Sequence, residues 1–255
     1  MFRSYTYWVF YLTLTFAAFT EVNAVEGECK KTLVVSVAQE WPPFSYLEDD
    51  EFKGLDIEIV ELVLRNANYC WNYVYYPSST RSLIELKKGN VDLIFAASYT
   101  SERADYAFYS EAYRFETMQL FGRIGQIAKS TLEAGSTIAV NRGSHYGNDF
   151  ERYRQECEEC IVDTNTASER FALVDRGRVD FAIEESIAGD YIIDKAGLTG
   201  SIVPTSVTIN RSPVHFMLSK KQLTFLELDH LNQVIGNSHN EINSIVIKYH
   251  QRYGN

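Results

Sequence analysis

Four short runs carry the side chains best suited to holding a small polar molecule: Gln39, Glu40 and Trp41; Ser98, Thr100 and Arg103; Asn141, Gly143, Ser144 and His145; and Glu184, Glu185 and Ser186. Together they offer an aromatic plate, a guanidinium, several hydroxyls and two adjacent carboxylates. That set suits a zwitterion, because a guanidinium takes a carboxylate through two charge-assisted bonds and an acid takes an ammonium. Neighbouring residues of an extended segment point to opposite sides, so one of Glu184 and Glu185 is expected to reach the ligand. No Ser-His-Asp order, Walker-type phosphate loop or zinc signature accompanies them. No cofactor and no metal are therefore expected.

Each run follows a predicted strand. Residues 31–38 are β-branched and apolar, as in a buried parallel strand. A turn-rich stretch fills 41–54, and a helix is expected over 55–68, where Ile57, Ile59, Val60, Leu62, Val63 and Leu64 form a broad apolar stripe. Strands at 71–76 and 91–97 flank a helix over 80–88 that Gly89 closes. The pattern then repeats, with strands at 137–141, 160–163 and 181–183 and helices over 146–157 and 168–175. Lys88-Gly89-Asn90-Val91-Asp92 and Arg176-Gly177-Arg178-Val179-Asp180 occupy the same place in the two copies. A final strand at 214–218 and mostly helical residues 222–253 must pack on one of the copies.

Alternating strands and helices mean βαβ units and a parallel sheet. The expected fold is α/β, with two similar doubly wound lobes, each a parallel-type sheet flanked by helices. Lobe 1 is 31–113 with 214–253, lobe 2 is 118–206, and a two-segment hinge, 114–117 and 207–213, joins them. Ligands bind beyond the carboxyl ends of strands in such sheets, so lobes that face each other bring the four runs into one cleft.

Residues 1–24 resemble a secretory signal peptide: Arg3 gives the positive start, 8–19 are apolar, and Val22-Asn23-Ala24 suits cleavage. The apolar stretch is too short to span a bilayer. Export makes oxidised cysteines the expectation, and of three possible pairings the favoured one is Cys29–Cys70 with Cys157–Cys160, since Cys29 and Cys70 precede neighbouring strands at the same end. A redox or metal site at Cys157-Glu158-Glu159-Cys160 is the alternative, although zinc would lack two ligands. The net charge of −10, with no basic run to offset it, argues against a nucleic-acid partner.

The motifs together resemble the extracellular solute-binding proteins of the polar amino acid class, the type II periplasmic fold that serves ABC importers. Trp41-Pro42-Pro43-Phe44 with Gly54-Leu55-Asp56-Ile57-Glu58 is similar to two family signatures, and Thr100-Ser101-Glu102-Arg103 to a third. Tyr109-Ser110-Glu111-Ala112-Tyr113 and Gly177-Arg178-Val179-Asp180 with Glu185 complete the likeness. The resemblance implies that Arg103 holds a ligand α-carboxylate, helped by Ser98 and Ser144. It implies that Glu185 takes the α-ammonium and that Trp41 covers the ligand side chain, with Asn141 nearby. It implies a periplasmic, monomeric protein that hands an amino acid-like ligand to a membrane permease. Ala38 stands where binders of basic amino acids carry an acid, and Arg81 near where they place an aromatic; both favour an acidic or polar ligand over lysine or arginine. An enzyme on the same fold, similar to cyclohexadienyl dehydratase, is the alternative, with Glu184 or Glu185 as general acid. A sensor role is a lesser third.

Overall fold

The β-branched run Thr32–Val37 forms β1, the middle strand of the first half-sheet. The computed structural model describes residues 29–38, 40–126 and 132–253; the signal segment expected at 1–24, and Gln39, lie outside them. After β1 come β2 (Glu40–Trp41), β3 (Ser45–Glu48), β4 (Glu51–Lys53), α1 (Leu55–Asn66), β5 (Cys70–Tyr75), α2 (Ser79–Lys88) and β6 (Leu93–Ala97). Then follow α3 (Ser101–Ala104), β7 (Ala107–Tyr109), β8 (Arg114–Arg123), β9 (Ile138–Asn141), α4 (Asn148–Glu156), β10 (Ile161–Thr164) and α5 (Ala167–Asp175). The chain closes with β11 (Phe181–Glu185), α6 (Ser186–Lys195), β12 (Ile202–Ser219), α7 (Phe225–Asn237) and α8 (His239–Tyr253).

The two halves have the same strand order. In the first, β1 lies parallel between β5 and β6, and β12 closes the edge of β6 antiparallel. In the second, β9 lies parallel between β10 and β11, and β8 closes β11 antiparallel. Strands β8 and β12 also pair with each other, from Val214 opposite Arg114 to Ile202 opposite Arg123, and this long ladder links the half-sheets.

The repeat seen in the sequence reaches the atoms. Gly89 and Gly177 both take left-handed backbone, at φ 86° and 65°, which ends α2 and α5. Asp92 Oδ2 then accepts the backbone N–H of Val34 at 2.7 Å, and Asp180 Oδ2 accepts that of Thr137 at 2.9 Å. In each copy an aspartate at the mouth of the third strand therefore fixes the start of the first.

The helical stripe of α1 is buried as Ile59, Val60, Val63 and Leu64 against Leu33, Val35, Phe216 and Leu231. Phe121, Phe171 and Val174 fill one side of the second half, and Leu120, Ile138 and Phe181 the other. Each such side chain contributes roughly 1.5–3 kcal/mol on leaving water. Disulfides join Cys29 to Cys70 and Cys157 to Cys160. Among the described residues no helix is long and apolar enough to cross a membrane.

Several elements differ from expectation. The strand expected at 214–218 is the end of the 18-residue β12, which pairs with β8 rather than stopping at Pro213. The turn-rich 41–54 folds into a small sheet of β2, β3 and β4, turned at Asp49 and Asp50 with φ 53° and 61°. The helix expected from 146 starts at Asn148, because Gly147 at φ 90° precedes it and Tyr146 is turned into the core, its hydroxyl accepting the N–H of Asn141. Strand β11 runs two residues past 183, since β8 pairs with it as far as Glu185.

Candidate functional site

The carboxyl ends of β1, β6, β9 and β11 face a cavity of about 200 Å³ between the lobes. That is below the ~300–1,000 Å³ common for drug-sized ligands, so its occupant is small. Trp41, Ser98, Arg103, Asn141, Ser144 and Glu184 all line it.

Arg103 sits on α3, whose first turn is held by Thr100: its hydroxyl accepts the N–H of Arg103 at 3.2 Å. The guanidinium donates to the carbonyl of Ser98 at 3.2 Å and, across the cleft, to that of Gly143 at 2.7 Å. Asn141 Nδ2 donates to Ser144 at 2.7 Å and across the cleft to Ser79 at 3.1 Å. The Trp41 ring stacks on Phe44, and its indole N–H crosses to Glu184 Oε1 at 2.9 Å. Three hydrogen bonds thus tie the lobes around the cavity, and the first of them comes from the guanidinium.

Glu184, only 3% exposed, is further bonded by the backbone N–H of Glu185 and paired with Arg170. Arg170 was not singled out from the sequence. The available signal was a charge beside Ala167, Phe171 and Val174 on the buried stripe of α5.

Two expected contacts lie elsewhere. Glu185 does not line the cavity; its carboxylate accepts the N–H groups of Ile187 at 2.7 Å and Ala188 at 3.3 Å and so caps α6. Strand alternation sends Glu184 and Glu185 to opposite faces, and a helix start is a ready partner for the outward one. Burial nevertheless raises the Glu185 pKa. Arg81 does not line the cavity either: its side chain is 51% exposed and pairs with Glu85 at 2.8 Å on α2. The argument for an acidic ligand therefore loses the cation it rested on. His145 does line the cavity, and burial lowers its pKa.

Ala96, a non-glycine residue at φ 51°, bends β6 at the cavity edge, where the register with β12 shifts between His215 and Met217. A bulge of this kind re-aims the residues beside it, here the approach to Ser98.

Beneath Trp41 lies a buried charge cluster at the start of β8. Arg114 donates to both oxygens of Asp56, at 2.7 and 2.6 Å, and to Glu116 at 2.8 Å, under the Phe44 ring. Tyr113 donates to Asp56 at 2.8 Å. Burial above all, with the charges of Asp56 and Glu185 adding and Arg114 opposing, pushes the Glu116 pKa up to about 8. A carboxyl raised on folding stabilises fully below its ordinary pKa and loses that stabilisation as pH rises towards the folded value. Glu116→Gln cannot ionise, so between about pH 5 and about pH 8 its thermal midpoint should fall less than that of the parent protein. Parallel curves would show that Glu116 does not hold a proton over this range.

The geometry defines a two-lobed protein with a polar cleft for one small molecule. Residues 33–132 match the family of bacterial extracellular solute-binding proteins, family 3. The arginine-binding extracellular protein ArtP of Bacillus subtilis (strain 168) is 25% identical over 197 residues, covering 76% of each chain. A histidine kinase sensor domain with similarity to periplasmic binding proteins superposes with a TM-score of 0.75 at 19% identity, over 86% of this chain and 95% of that one. The arginine-, lysine-, histidine-binding protein ArtJ from the thermophilic bacterium Geobacillus stearothermophilus gives 0.73 at 18% identity, over 86% and 94%. Over residues 33–132 the chain is thus similar to extracellular solute-binding proteins, and its α/β fold is that of the solved structures it superposes on.

Proposed function

We propose that this is an exported binding protein that captures an amino acid, or a similar small zwitterion, and delivers it to the membrane permease of an ABC importer. The observation that carries the reading is Arg103, set between the lobes with a guanidinium that donates to the carbonyls of Ser98 and Gly143. A ligand carboxylate is a stronger partner for that group than either carbonyl. Ser98 and Ser144 also line the cavity, Glu184 is a buried carboxylate there that can accept from an ammonium, and Trp41 covers the remainder. Two disulfides and the signal-like start support export.

A dehydratase would need a carboxylic acid free to protonate a leaving hydroxyl. Glu184 is engaged by Arg170 and Trp41, Glu185 by its helix, and the protonated Glu116 by Arg114, so the cleft favours ground-state binding over catalysis. Calorimetry with the twenty amino acids, alongside native mass spectrometry of the purified protein, tests the reading. No binding at millimolar concentrations and no co-purified small molecule would overturn it.

In this reading the lobes close by bending at 114–117 and 207–213, inside β8 and β12. Gly143 lies tight against Thr80 of the other lobe. A Cβ there would stand 2.6 Å from Thr80 Oγ1 and 2.8 Å from its backbone nitrogen, on backbone at φ 84°. Gly143→Ala should therefore prop the lobes apart and weaken ligand binding by about tenfold or more, on the order of 1.4 kcal/mol. Ligand should shrink the radius of gyration of the parent protein but not of the variant; identical contraction in both would place the closing contact elsewhere.

A further inference from the structure

The cavity does not end at the lobe boundary. It continues into lobe 1 beneath α2, where it is lined by residues almost sealed from solvent: Ala97 is 5% exposed and Met217 0%. The half-buried Leu83 and Ile94 complete this inner wall. Its hydroxyls, Ser36 and Ser82, are bonded to each other at 2.8 Å. An inner wall of this kind accepts methyl, methylene or thioether groups and has little to offer a charge.

The charged groups around the cavity reinforce the point. Glu116 is bonded to Arg114 and held protonated by its burial, Glu184 is paired with Arg170, and Glu40 is exposed to solvent. Arg103 and Arg170 both line the space as cations. A second guanidinium or ammonium on the ligand would enter beside two arginines and find no unengaged buried carboxylate. A second carboxylate would have to share Arg103, or break the Arg170–Glu184 pair.

We infer that the amino acid taken by this cleft has a neutral, apolar side chain, lodged between α2 and the strands β6 and β12, and that arginine and lysine are excluded. ArtP and ArtJ are named for cationic amino acids; this cleft differs in chemistry from what such a ligand needs. The inference rests on the amino acid-binding reading above and narrows it.

The test is calorimetric titration of the purified protein with leucine, methionine and valine, with arginine, lysine and glutamate, and with alanine as a ligand that lacks a long side chain. The expected result is that the best of the first three binds at least a hundredfold more tightly than arginine or lysine, and more tightly than glutamate or alanine. Arginine, lysine or glutamate within tenfold of the best apolar ligand would overturn the inference while leaving the amino acid-binding reading intact. Binding of none of the seven would end the inference, and the amino acid-binding reading with it only if the other thirteen amino acids also fail to bind. Leu83→Ala, at a half-buried position, should weaken leucine or methionine about tenfold and leave alanine unchanged, with thermal unfolding as the control for the fold. An unaltered affinity for the longer ligands would move the side chain out of this pocket.

Discussion

Arg103→Ala is expected to abolish ligand binding while leaving the fold intact. Truncation would strand a ligand carboxylate in a closed cleft, a loss on the order of 2–5 kcal/mol, or roughly 30- to several-thousand-fold in affinity. Stability should change little, because the side chain is half-buried and its bonds to the Ser98 and Gly143 carbonyls are ones that water can replace. Arg103→Lys should fall between, since an ammonium supplies the charge without the paired donors. Calorimetry is the measurement, with thermal unfolding as the control. A change below about fivefold, roughly 1 kcal/mol, would remove Arg103 from the ligand.

Arg114→Ala should have the largest effect on stability. The parent side chain is 6% exposed and holds Asp56 through two bonds and Glu116 through one, with Tyr113 completing the set. Removing the cation leaves two carboxyl groups buried together. Breaking a buried pair in this way costs about 3–5 kcal/mol, well above the net worth of the intact pair. Urea unfolding should show the midpoint falling sharply, and more at high pH than at low, because protonation relieves the abandoned acids. A loss under about 1 kcal/mol would mean that water reaches the cluster.

Most of the site was legible because it depends on a coarse fact, which residues follow which strand. The β-branched run before Ala38, the Gly-x-Val-Asp repeats, and Arg103 just past a capped turn all declare themselves locally. What was hidden depends on tertiary context. Whether Glu184 or Glu185 enters the cavity turns on β11 continuing two residues further, which only its pairing with β8 decides. Strand β8 reads poorly because Arg114 and Glu116, its inward residues at one end, are charged. Strand β12 carries Pro204 and Pro213, which argue against a strand until β8 is there to pair with it. Arg81 shows the limit of the resemblance: it marks a position on α2, but the side chain there is exposed and pairs with Glu85 instead of entering the cavity.

The long β8–β12 ladder also sets the order in which the molecule can be completed. The second half-sheet draws on residues 114–214, and its buried strands β9, β10 and β11 lie within about fifty residues of one another. The first half-sheet has its β1, β5 and β6 early, yet the edge of β6 is covered only by residues 215–218, and α1 packs under α7 and α8 at the far end of the chain. As the polypeptide emerges from its amino end, the later half can close first, on shorter loops. The earlier half waits with an open sheet edge until almost the whole chain is present, and contacts over such separations form slowly. Sites that delay or misdirect assembly should therefore concentrate in β12 and the two closing helices, far from the cleft they finally support.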